Sequence, residues 1–282
     1  MSDSQQVRDQ VSRAYTAAVE QPPSSCCGES TTKGTAAKLA GYGDEQLHVL
    51  PTQSVENSFG CGNPLAFSEV QPGQVVVDLG CGAGIDLLLA AQKVGPEGRA
   101  IGIDMTDAMI ERARQAIAEA GATNAEVRKG IIEELPLDDA SVDWIISNCV
   151  INLSPEKPRV FAEIARVLKP GGQILISDMV AEEIPDELRD IPALYSSCLT
   201  GAIKESEYLA GLEAAGLTDV TVRHRFTFTA AQLAALVDSE LAQSDPMLQA
   251  AIASSDDATS KRILEQLDGQ IASLQIYARK AG

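Results

Sequence analysis

Apolar residues fall along this chain in two alternating rhythms. Short unbroken runs occur at 75–80 (VVVDLG), 99–104 (RAIGID), 125–130 (AEVRKG), 142–148 (VDWIISN) and 173–178 (QILISD). Their length and continuity predict strands buried on both faces. Between them the spacing becomes helical. A helix is expected over 85–94, and another over 106–121, with Met109, Ala113 and Ile117 on one face, Thr106 or Asp107 as cap and Gly121 as terminator. A third, over 158–169, aligns Phe161, Ile164, Ala165 and Leu168 and stops at Pro170-Gly171-Gly172. Residues 205–216 predict a further helix, and TDVTVRHRFTFT at 218–229 a β pair.

Strands alternating with helices predict an α/β fold, a doubly wound, Rossmann-like parallel sheet. The regular pattern spans 71–229, including a segment at 180–204 suited to fold back toward a substrate. Ahead of it, residues 1–70 hold an amphipathic helix (Val7, Val11, Tyr15, Val19) and a Pro-, Ser- and Gly-rich loop. After it, 230–243 and 260–280 read as helical, so 230–282 is expected to form a small C-terminal helical appendage.

Charge and composition narrow the partners. A formal net charge of −18 and an aromatic content of 4% speak against a nucleic-acid surface, which needs basic stripes or stacking platforms. The polar N-terminus does not read as a signal peptide, and no apolar run is long enough to cross a membrane. A cytoplasmic protein is expected, in which six cysteines are free, catalytic or ligand thiols rather than a disulfide scaffold.

The most specific loop is VVVDLGCGAGID, which runs from a strand into a helix through Gly80, Gly82 and Gly84. Glycines there let a ligand approach the backbone, and the helix N-terminus offers free N–H groups. Asp104 closes the next strand, where nucleotide-binding sheets hold a ribose diol. A dinucleotide fingerprint would need glycine where Ile85 stands. The G-x-G-x-G spacing behind Asp78 instead resembles motif I of the S-adenosylmethionine-dependent methyltransferases. That resemblance implies that Asp78 orients the loop and the methionine end of the cofactor. It also implies that Met105, Ile132 and Glu133 face the adenine and that Asn148 lies near the amino-acid portion. Cys81, between two loop glycines, reads as a tolerated small residue lining the cofactor site.

Three other cysteines sit where a substrate could be: Cys61 in FGCGNP, Cys149 at the end of the fourth strand, and Cys198 in SSCLTGA. Each could be a buried, inert hydrophobe. Three converging thiolates would instead suit a thiophilic ion. The spacing lacks the CxxC pairs of structural zinc, and His48 and His224 lie in no ligand motif. FGCGNP, DLGCGAGID, SNCVINLSPEK and SSCLTGA, in this order, resemble the arsenite S-adenosylmethionine methyltransferases over residues 40–225. The resemblance implies that Cys61, Cys149 and Cys198 bind trivalent arsenic and that Cys26 or Cys27 assists. It further implies that enzyme thiols re-reduce the arsenic, with thioredoxin or glutathione as the final reductant. Two rival readings remain: a C- or O-methyltransferase with structural cysteines, and a non-catalytic, thiol-based metalloid-binding protein.

Overall fold

The computed structural model describes residues 3–20, 42–48, 50–56, 62–64, 68–185, 200–237 and 265–282. Among the described residues, the first helices are α1 (Asp3–Glu20), α2 (Asp44–His48) and α3 (Thr52–Glu56). The alternating unit follows as β1 (Val75–Leu79), α4 (Ile85–Val94), β2 (Arg99–Asp104), α5 (Asp107–Ala120), β3 (Ala125–Lys129) and β4 (Val142–Asn148). A short 3-10 turn (Ile151–Leu153) leads to α6 (Lys157–Val167), β5 (Leu168–Ala181), α7 (Glu205–Ala214), β6 (Leu217–Thr227), α8 (Ala230–Val237) and β7 (Ile271–Lys280).

Among the described residues, seven strands form one sheet in the order β3-β2-β1-β4-β5-β7-β6. The first five are parallel, and β7 is antiparallel to both of its neighbours. Strand residues alternate between two apolar layers. Ile145 of β4 packs with Phe161 and Ile164 of α6 and with Tyr208 of α7, whereas Trp144 and Ile146 pack with Leu87 of α4 and Ile110 and Ala113 of α5. Helices therefore cover both faces, as the unbroken apolar strands require.

The C-terminal expectation needs correcting. The segment expected to end in a helix ends in β7, which pairs with β5 from Gln173↔Arg279 to Ala181↔Ile271. Ile271, Leu274, Ile276 and Ala278 are buried. A strand flanked on both edges and covered on both faces shows no alternation, so its apolar run cannot be told from a helix by period. The expected β pair at 218–229 is likewise one long strand, β6, whose partner is β7 rather than itself. That stretch holds no two-residue glycine turn to reverse it. Pro170-Gly171-Gly172 ends α6 as expected but already belongs to β5.

Strand order reverses between β1 and β4, which opens a crevice at the carboxyl ends of these strands. A third apolar cluster sits beside it. There Val11 of α1 meets Cys149, Leu153, Met179, Ala202 and Ile271. No helix among the described residues is long and apolar enough to cross a membrane.

Candidate functional site

The floor of the crevice is backbone. Gly80, Gly82 and Gly84 all take positive φ, at 63°, 50° and 90°. A Cβ on Gly80 would lie 2.5 Å from the Val150 side chain, so only glycine lets the loop pass there. The loop is tied to the end of β2: the Cys81 N–H donates to the Ile103 carbonyl, and the Gly82 N–H to Asp104 Oδ2 at 3.0 Å. Asp104 Oδ1 also accepts the Thr106 N–H at 2.8 Å, capping α5 in place of the Thr106 side chain. Gly84 precedes α4 and lies close to Ala113 of α5, so it serves helix packing rather than the crevice wall.

Three carboxylates surround this floor: Asp78, Asp86 and Asp104. Burial raises the Asp78 carboxyl well above the ordinary range, and the charges of Asp86 and Asp104 raise it further. Burial alone lifts Asp86 to about 6, against hydrogen bonds from Tyr42 and Asn148 that favour its charged form. Asp104 is raised by burial and lowered by the backbone donors it accepts. Asp78 Oδ2 is buried with no hydrogen-bond partner among the described residues. So much confined negative charge favours a cationic occupant.

One wall is formed by Met105, Ile132 and Glu133. Glu133 is 3% exposed yet accepts hydrogen bonds from Ser154 Oγ at 2.7 Å and from Arg8 of α1 at 3.2 Å. Arg8 also reaches Glu156 at 3.3 Å, and Arg112 donates to the Val19 carbonyl near the end of α1. These ties lay α1 along the crevice, where Arg8, Val11 and Tyr15 line it.

The rim lies where β4 ends. Cys149 lines the crevice, is 5% exposed, and takes a left-handed φ of 57°, a strained conformation for a residue with a Cβ. Its N–H donates to the Ser177 carbonyl at 2.8 Å. Cys149 is disulfide-bonded. Cys81 is free, so the partner of Cys149 lies outside the described residues. The neighbouring Asn148 holds Gly62 from both sides: its Oδ1 accepts the Gly62 N–H at 3.0 Å, and its Nδ2 donates to the Gly62 carbonyl. Gly62 presses on β5 so closely that a Cβ would lie 2.7 Å from Ser177.

Of the residues expected from sequence, Asp78, Gly80, Cys81, Gly82, Asp104, Met105, Ile132, Glu133, Asn148 and Cys149 line one crevice. Cys81 faces the sheet, where its Sγ would meet a Cβ on Gly102 at 2.6 Å, and burial pushes its thiol well above the ordinary range. Cys26, Cys27, Cys61 and Cys198 lie outside the described residues. Sequence reasoning missed Arg8, Tyr42, Ser54, Asp86 and Ser154. Only α1 gave a signal, its apolar stripe, which carries no address.

A methyltransferase-domain family model matches residues 71–216. The arsenite methyltransferase of Halobacterium salinarum is 43% identical over 198 residues, which are 70% of this chain and 50% of that protein. An arsenic (III) S-adenosylmethionine methyltransferase from Chlamydomonas reinhardtii, of known structure, superposes with a TM-score of 0.60. It is 30% identical and covers 88% of this chain and 73% of that one. This chain belongs to the arsenite S-adenosylmethionine methyltransferase family. The human arsenite methyltransferase, 38% identical over 188 residues, matches 62% of the chain and 50% of its own length. The chain thus spans about half the length of the curated relatives it matches. For a member of this family, the glycine floor and the cysteine rim are the two parts that need chemical roles.

Proposed function

We propose that this chain transfers methyl groups from S-adenosylmethionine to trivalent arsenic held by the thiolates of Cys61, Cys149 and Cys198, an activity that detoxifies arsenite. The observation that carries this reading is the state of Cys149. It lies on the crevice wall and is bonded to a second cysteine, and a disulfide forms only between sulfurs that meet. Reduction therefore frees the Cys149 thiol at the crevice edge together with that of its bonded partner, a soft pair suited to a thiophilic centre. Chain connectivity supports the other two ligands. Cys61 directly precedes Gly62, which Asn148 holds beside Cys149. Cys198 lies four residues before Ala202, which shares the apolar cluster of Cys149.

The floor fits the cofactor. The orphaned Asp78 oxygen and the three carboxylates suit a ligand carrying ammonium and sulfonium charge, and the positive-φ glycines leave room for it. Asp78, Gly80 and Gly82 would hold its methionine portion, Asp104 its ribose, and Met105, Ile132 and Glu133 its adenine. When bound, S-adenosylmethionine supplies an electrophilic methyl carbon. Trivalent arsenic keeps a lone pair and loses no proton on attack, so the chain's task is to hold it in line. Such positioning is worth up to about 7–11 kcal/mol in favourable cases. Attack formally takes arsenic to the pentavalent state. Two enzyme thiols, Cys26 or Cys27 among them, would return it to the trivalent state by forming a disulfide, which thioredoxin or glutathione would reopen.

Reduced protein incubated with arsenite, S-adenosylmethionine and fresh thiol is expected to give methylated arsenic on chromatographic separation. Recovery of unchanged arsenite rejects the assignment.

A further inference from the structure

Tyr42 lies just ahead of α2 and is 3% exposed, behind the crevice rather than on its wall. Its hydroxyl lies 2.7 Å from Asp86 Oδ1 and 3.0 Å from Asn148 Nδ2. Asn148 Nδ2 is also 3.2 Å from Asp86 Oδ2. These partners set the direction of the whole chain of bonds. An ionised carboxylate only accepts, so the Tyr42 hydroxyl must donate to Asp86. Its lone pair then faces Asn148, which must turn its N–H side toward Tyr42 and Asp86. The amide oxygen is left pointing at the Gly62 N–H, the bond that holds Gly62 against Ser177. The Gly62 carbonyl, which accepts from Nδ2, favours the same orientation, and the Tyr42–Asp86 pair reinforces it from the buried side.

We propose that Tyr42 is a positioning residue for the thiol side of the site, fixing the Asn148 amide that clamps Gly62 beside Cys149. The inference rests on the arsenic-methylation reading. Gly62 follows Cys61 in the chain and Asn148 precedes Cys149, so the clamp joins the chain neighbours of two of the three proposed arsenic ligands. Tyr42 does not itself line the crevice, so its deletion reaches the cofactor side only through Asp86 and Asn148, which do.

The test is Tyr42→Phe, which keeps the ring and deletes only the hydroxyl. Arsenite affinity of the reduced variant is expected to fall about five- to tenfold, as for loss of one hydrogen bond to a charged network. S-adenosylmethionine affinity should fall by less than arsenite affinity, and kcat/KM for arsenite should fall with the latter. Equal losses of arsenite and cofactor affinity, or no loss of either, overturn the inference. Amide exchange of the wild-type protein gives a check that needs no variant. The Gly62 N–H is expected to exchange as slowly as the strand amides of β4, and free exchange overturns the clamp. Wild-type protein that takes up no arsenite overturns the methylation reading and the inference together, a result distinct from failure of the variant alone.

Discussion

The floor and the rim of the crevice are built by different means. The floor is backbone: positive-φ Gly80 and Gly82, in a loop whose Cys81 and Gly82 N–H groups hydrogen-bond to the end of β2. The rim is tertiary: the Asn148 side chain, backed by Tyr42 and Asp86, grips the backbone of Gly62, and these segments lie as many as 106 residues apart in the chain. They meet where Gly80 lies against Val150, the residue after Cys149. A floor of this kind can be kept across many substrates, whereas the rim can be rebuilt around a new one. The rim is therefore where the reaction's selectivity should reside.

The sharpest way to separate the two is to remove the rim sulfur. Cys149→Ser is expected to abolish methylation of both arsenite and methylarsenite while S-adenosylmethionine binding, followed by equilibrium dialysis, is kept. Full activity in that variant would favour a methyltransferase with structural cysteines. Cys61→Ser should be narrower, abolishing methylation of arsenite yet sparing part of the turnover of methylarsenite, which already carries one methyl in place of a ligand. Equal loss on both substrates, measured by arsenic speciation, contradicts this order.

Gly80→Ala strikes the floor and the point of contact. The left-handed φ costs roughly 1–3 kcal/mol, and the new Cβ must push Val150 aside. Cofactor affinity is expected to fall about tenfold or more, with arsenite uptake less affected. A variant that binds cofactor normally would show that the loop is not the floor.

The smallest effect is on pH. Burial lifts Asp86 and Asp178 to about 6. The folded state thus binds these protons more tightly than the unfolded chain, and stability falls as pH rises from the ordinary carboxylate range to about 6. Above that it levels off. Glu126 and Glu163, held low by Arg128 and Arg166, contribute in the opposite sense only below about 4.5. Between pH 4.5 and 6 each buried aspartate should cost roughly 2 kcal/mol. Asp178→Asn should flatten part of that slope in denaturant titrations, and an unchanged slope contradicts the assignment.

The contrast also explains what was legible in the sequence. The floor was, because a glycine loop between a buried strand and a helix is a local pattern, and Asp104 closes the next strand in the same unit. The parallel sheet was legible for the same reason. β7 was not, since a strand buried on both faces and both edges has no period of its own. The clamp was not, because Tyr42 and Asp86 look like an ordinary aromatic and an ordinary first-turn acid until folding sets them beside Asn148. Cys149 could be suspected from its place after β4, but not its left-handed backbone or its bonded state.

The most direct test of the central claim, that thiolates of the rim hold the substrate over the floor, is X-ray absorption at the arsenic edge. Reduced protein loaded with arsenite should show arsenic surrounded by three sulfur atoms, and Cys149→Ser should lose at least one of them. A shell of oxygen neighbours around arsenic in the reduced wild-type protein would contradict the account.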